Sequence, residues 1–350
     1  MNSSSCGLLV VRRTSRVAAW VVACGIAWFG GSSLLAQEQE SKPKSDGESS
    51  SSREPEDITL KTEDGVKLAV SFFPGTKGRE SIPVILLHGL NRSRQDYVKD
   101  GGLAPYLQEK LGCAVVVPDL RGHGESKTQK LVIHNREKQV ELKVKDFRVA
   151  DYEAMVEQDL RAVKDFLWKK NNKEQLNLDK LVVVGTEMGG ALALNFALYD
   201  SNGYENKQPF YGSLKLGRFL KGAVLISPDL TFRGVSVPTA HAMASPYLKV
   251  ALPVMIVAGT KNRARNIDAE KLNTLFTNAR PDEKKPEVQG NKEKQTLWYR
   301  PLDTSVSGND LLGEESLNVP KSVGQFIYYR LVKNVEDKDC KWQERKYPHE

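Results

Sequence analysis

Leu181-Val182-Val183-Val184-Gly185-Thr186-Glu187-Met188-Gly189-Gly190 reads as an apolar strand, a tight turn and the start of a helix. Four β-branched or aliphatic residues in a row suit a strand buried on both faces. Glycines at 185 and 189 flank the turn. Glu187 stands at the tip, between them. A carboxylate there faces the free N–H groups of the helix that follows, from Met188 to Tyr199.

Outward from this stretch the same rhythm repeats. Pro83–Leu87, Ala114–Pro118, Gly222–Ile226 and Val254–Ala258 are short, wholly apolar runs, and Thr296–Tyr299 is a fifth. Val66–Phe72 reads as an early edge strand. Amphipathic stretches lie between them, the clearest from Tyr152 to Lys169, with Met155, Leu160, Val163, Phe166 and Leu167 on one side. A last helix spans Pro320–Val332. Apolar strands separated by helices predict an α/β fold, a mostly parallel central sheet with helices on both faces.

Chain length and composition fit one large domain: 350 residues, 40% hydrophobic and 27% charged. Arg12, Arg13 and Arg16 precede an apolar run that ends at Ala36 and turns polar at Gln37. This predicts a signal peptide over 1–36 and a secreted or periplasmic protein. The alternative is a membrane anchor over 17–36, long enough to span a bilayer. Residues 37–57 are rich in Ser, Glu and Lys and read as a disordered linker. The folded domain is expected over 58–333, and a charged, peripheral tail over 334–350. Removing the three leader arginines, with no acid before residue 37, lowers the net charge from +7 to +4. That balance gives no reason to expect a nucleic-acid partner. Cys6 and Cys24 fall in the leader. Cys113 lies in an apolar strand and reads as a buried thiol, with Cys340 the other candidate for a disulfide. No spacing suits a metal, and no cofactor is implied.

Four motifs follow four strands in order. They are Leu87-His88-Gly89-Leu90, Asp119-Leu120-Arg121-Gly122-His123-Gly124-Glu125-Ser126, the turn at Glu187, and Ala258-Gly259-Thr260-Lys261-Asn262. With these motifs the chain resembles the α/β-hydrolase superfamily, in its serine aminopeptidase-like or lysophospholipase-like branch, over residues 58–333. The resemblance implies a nucleophile elbow, G-x-S-x-G, with Glu187 at the serine position. It places the acid at Asn262 and the base at Ser307, in Ser307-Gly308-Asn309-Asp310-Leu311-Leu312. It assigns the oxyanion N–H groups to Leu90 and Met188. His88, Gly89, Gly122, His123, Gly124, Gly185 and Gly189 become structural members of the turns.

A glutamate cannot serve as an alkoxide. The resemblance therefore implies a pseudohydrolase that binds a small ligand or a protein. The alternative is an esterase or peptidase with a displaced or glutamate-based site, for which His241 is the candidate base and Asp229 or Asp268 its partner. Glu187 is expected to plug the site, taking the N–H groups of Leu90 and Met188. Those bonds would lower its pKa, so that the charged form stabilises the fold.

Overall fold

A computed structural model describes residues 54–202, 219–232, 235–236, 245–333 and 340–345. The proposed leader and most of the linker lie outside them, as do His241 and His349.

Twelve strands are present among the described residues: β1 (Glu56–Lys61), β2 (Val66–Phe73), β3 (Pro83–Leu87), β4 (Ala114–Pro118), β5 (Thr128–Ile133), β6 (Arg136–Glu141), β7 (Leu181–Thr186), β8 (Leu220–Ile226), β9 (Thr231–Phe232), β10 (Val235–Ser236), β11 (Val254–Gly259) and β12 (Leu297–Leu302). Ten of them form one sheet; β9 and β10 make a separate ribbon. From β12 the order runs β11, β8, β7, β3, β4, all parallel, and then β2, which is antiparallel to β4.

The expected α/β sheet is present, and its strands show why they read as continuous apolar runs. Alternate residues of one strand feed opposite cores. Ile85 and Leu87 face one side and Val84 and Leu86 the other; Val183 and Val182, or Ile256 and Val257, divide the same way. The first face is covered by the helical run 149–172, by Met188–Asn202 and by Arg263–Ala279. The second is covered by Leu103–Leu111 and Val319–Tyr328. With both faces packed, neither register of the strand can be polar.

Three expectations need correction. The strand from Val66 is not at the edge: β1 runs along one side of β2, while β4 and β5 share the other. Because β1 begins at Glu56, the ordered domain starts inside the segment assigned to the linker. The C-terminal residues are not peripheral. Cys340–Arg345 lie on the domain, where Asn177 Nδ2 donates to the Cys340 carbonyl (2.8 Å) and Trp168 Nε1 to the Arg345 carbonyl (3.0 Å). Arg345 also pairs with Asp179, and the Arg79 guanidinium lies 4.2 Å from the centre of the Trp342 ring.

Cys113 and Cys340 are both buried thiols. Burial pushes Cys113 up to about 12. Within the described residues no helix is long and apolar enough to cross a membrane.

Candidate functional site

The carboxyl ends of β3, β4, β7, β8, β11 and β12 meet along one rim of the sheet, where open α/β folds place their ligands. Glu187 sits at its centre, directly after β7. Its φ is +50°, the left-handed region that few side chains enter without support. Three backbone bonds hold it there. Its N–H donates to the Ile226 carbonyl (3.0 Å), and its own carbonyl accepts from Gly190 (2.9 Å) and Asp229 (3.1 Å). The flanking glycines are required by space. A Cβ on Gly185 would enter the Gly189 carbonyl, and one on Gly189 would enter the Leu87 carbonyl.

The side chain of Glu187 is half-buried and runs across the rim. A Cβ at Gly89 would overlap Oε2, and a Cβ at Gly308 would overlap Oε1 and lie 2.6 Å from Cδ. The carboxylate is thus held between the turn after β3 and the turn after β12, beside Ser307. Glycine at both places makes the room. Gly308 has φ +63°, which suits it to the turn as well.

The N–H groups of Leu90 and Met188 do not complete the expected plug. Among the hydrogen bonds of the described residues, none runs from either amide to the Glu187 carboxylate. Its pKa is raised, not lowered. Burial is the main cause, and Asp229 adds to it; Arg265 and Arg92 oppose, and Asp310 raises it further. The two arginines are weak counter-ions because each is paired elsewhere. Arg265 reaches Asp229 at 2.8 Å and Arg92 reaches Asp310 at 3.1 Å.

Stability then varies with pH in the opposite sense to the plug expectation. A carboxyl whose folded pKa lies above the unfolded value binds more protons when folded, so stability falls as pH rises through that window. Glu187→Gln should melt higher than the parent at about pH 8 and level with it at about pH 4, below the window. Calorimetric melts at both pH values decide this. A variant less stable than the parent at about pH 8 would restore the favourable-charge reading.

The turns that lead to Asn262 and to Ser307 are joined by backbone bonds on their strand side. Thr260 N–H donates to the Leu302 carbonyl (2.8 Å) and Lys261 N–H to the Thr304 carbonyl (3.0 Å). The Asn262 side chain turns to its own helix, accepting from the Arg265 N–H at 3.3 Å as an N-cap. Asp268 is likewise engaged. It accepts from the Leu230 N–H (3.0 Å) and meets Lys271 (3.3 Å).

The two turn histidines are structural. His88 donates from Nδ1 to the Gly89 carbonyl (2.8 Å), while Nε2 accepts from the Leu120 N–H (3.1 Å). Both ring nitrogens are used, and burial lowers the pKa, so the ring stays neutral. His123 packs against it at a tilt of 56°, with ring centres 4.9 Å apart and its Nδ1 on the Arg121 carbonyl (3.0 Å). Burial and the neighbouring His88 push His123 down to about 4. Gly122 and Gly124 both have positive φ, and a Cβ on Gly124 would enter the Asp119 carboxylate. That carboxylate accepts from the N–H groups of Arg94 (2.7 Å) and Glu125 (2.9 Å), and it pairs with the Arg94 guanidinium. His134 is exposed at the tip of the β5–β6 hairpin, and His241 lies outside the described residues.

Sequence reasoning did not single out Gly308, Arg92 or Tyr97. The Tyr97 hydroxyl donates to the Leu87 carbonyl (2.9 Å) and lies 2.9 Å from Thr186 Oγ1, tying the turn after β3 to the residue before Glu187. Gly308 stood in a quoted motif, and its glycine was the available signal. Arg92 and Tyr97 had none. Among the described residues no three His, Cys, Asp or Glu side chains are grouped to hold a metal ion.

Comparison with known proteins agrees with this architecture. Residues 82–205 match a family model described as the alpha/beta hydrolase fold. The Pyrococcus furiosus esterase Pf2001 superposes with a TM-score of 0.51 at 18% identity, covering 79% of this chain and 91% of its own. A fungal esterase from Rhizomucor miehei gives 0.51 at 13% identity, covering 81% and 87%. The alpha/beta hydrolase GrgF from Penicillium sp. sh18 gives 0.51 at 12% identity, covering 80% and 99%. Identities this low establish a shared fold and no more. No curated protein sequence is detectably similar to the chain.

Proposed function

We infer, for a chain that carries the α/β-hydrolase fold, a non-catalytic role as a pseudohydrolase that binds a ligand or partner at the old active-site rim. In this reading Glu187, Asn262 and Ser307 replace the nucleophile, acid and base of a lysophospholipase-like ancestor. The single observation that carries it is the placement of the Glu187 carboxylate between Gly89 and Gly308. There it fills space that an attacking serine and its histidine would share. The neighbouring histidines do not supply a base: His88 has both ring nitrogens bonded, and His123 is buried, with its pKa pushed down to about 4, which makes it a weak one. Activation of a nucleophile needs a base within hydrogen-bond reach.

The same reading takes residues 1–36 as a cleaved signal peptide and the protein as secreted or periplasmic. The domain assignment over 58–333 extends at both ends, to take in β1 and the segment Cys340–Arg345. Exported protein should begin at Gln37, remain unlabelled by a fluorophosphonate probe, and hydrolyse short-chain esters, anilides and lysophospholipids no faster than background. A site stripped of its triad keeps at most about 10³–10⁴-fold catalysis over water. Robust ester turnover, lost on Glu187→Gln or His241→Ala, would establish the glutamate-based or displaced site in its place.

A further inference from the structure

Beside the rim, and independent of whether Glu187 catalyses, lies a cavity of about 420 Å³. Its walls are the turn after β3, at Asn91 and Arg92, the Gly122-His123-Gly124 turn, and the segment Glu141–Lys145. The volume falls in the range of small-molecule sites. The walls are well braced. Leu142 N–H donates to the Lys127 carbonyl (2.8 Å) and Gly122 N–H to the Ser126 carbonyl (2.8 Å), and Val144 and Phe147 pack where a Gly122 Cβ would fall.

Charge is distributed unevenly around it. Arg92, Lys127, Lys143 and Lys145 line the cavity, against one acid, Glu141. Glu141 meets Lys143 at 3.3 Å, and Arg92 is turned toward Asp310. Lys127 and Lys145 have no ion-pair partner among the described residues, which leaves two uncompensated cations in its lining. A concave site with surplus charge of one sign gathers ligands of the other, and clefts strengthen that field.

We propose that this cavity binds a small, multiply charged oxyanion, carried by a phosphoryl group or a polycarboxylate, with Lys127 and Lys145 as its principal contacts. Both sources present the same clustered anionic oxygens to an ammonium group.

The test is calorimetric titration of the folded parent with inorganic pyrophosphate and with citrate, at matched ionic strength near 150 mM, where the Debye length is about 8 Å. Saturable one-to-one binding by either is expected. Tighter pyrophosphate assigns the phosphoryl source, and tighter citrate the polycarboxylate. The double variant Lys127→Gln/Lys145→Gln should weaken that binding by roughly tenfold or more, since each removes a charge-assisted contact. A control, Lys294→Gln/Lys321→Gln, removes the same charge from exposed positions elsewhere and should bind as the parent does. Thermal melts of both variants should match the parent, so that loss of binding is not loss of fold. No saturable binding by either anion, or equal weakening in both double variants, overturns the proposal.

Discussion

Truncation after Asp339 should lower the melting temperature by on the order of 5–10 °C, although it removes only a charged C-terminus. The segment it deletes covers buried polar groups. Trp168, Asn171 and Asn177 are each about 1% exposed, and their side chains donate to the carbonyls of Arg345, Gln343 and Cys340. The Asn172 side chain exchanges two more bonds with Arg345, accepting from its N–H at 3.0 Å and donating to its carbonyl at 2.6 Å. A buried donor left without its acceptor costs about 1–3 kcal/mol. Water entering the vacated groove recovers part of that, so a total of roughly 3 kcal/mol is expected. Differential scanning calorimetry on the truncated and full chains measures it. A shift within about 1 °C would mean that the segment adds nothing to the domain.

The second large effect belongs to the elbow. Gly189→Ala should destabilise the fold by about 3 kcal/mol or more, because its Cβ meets rigid backbone and no side chain can move aside. That Cβ would overlap the Leu87 oxygen and stand 2.7 Å from the Leu87 carbonyl carbon and 2.9 Å from the His88 oxygen. Relief requires separating the Met188–Asn202 helix from β3, which opens the core between them. Gly313→Ala is the matched control, since nothing lies within 4 Å of its Cβ. Urea denaturation of both variants should show a large fall in midpoint for the first and almost none for the second. Equal midpoints would show that the close approach of helix and strand is dispensable.

The sheet was legible because its central strands are apolar at every position. Residues 84–87, 115–117 and 182–184 need no partner to declare burial on both faces. The strands that escaped notice have no such signature. β5, Thr-Gln-Lys-Leu-Val-Ile, is polar in its first half and mostly half-buried, and β6, Arg-Glu-Lys-Gln-Val-Glu, is polar and exposed, so hydropathy reads them as an insertion. The C-terminal segment escaped for a related reason. It is held mainly by side-chain amides on carbonyl oxygens, and hydropathy does not register such bonds.

At the site, the glycine spacing located Glu187 and its turn, but its protonation tendency could not be read there. That depends first on burial, then on Asp229 and Asp310, which other segments of the chain bring to the rim, and on arginines already paired with them. The roles of His88 and His123 show the same divide. Their motifs mark them as structural members of the turns, and the fold supplies the detail: both ring nitrogens of His88 are bonded, and His123 is buried against it.

The hairpin β5–β6 bears on how copies of this protein meet. Among the described residues β6 pairs with β5 alone, and its outer side there offers backbone groups on which a second chain could continue the sheet. Its sequence, Arg136-Glu137-Lys138-Gln139-Val140-Glu141, gives a stranger little to grip. Four of six residues are charged, of both signs, and all but Val140 are exposed. Joining there would force charges of neighbouring copies together out of water, and β6 thereby guards the chain against polymerising through its own sheet.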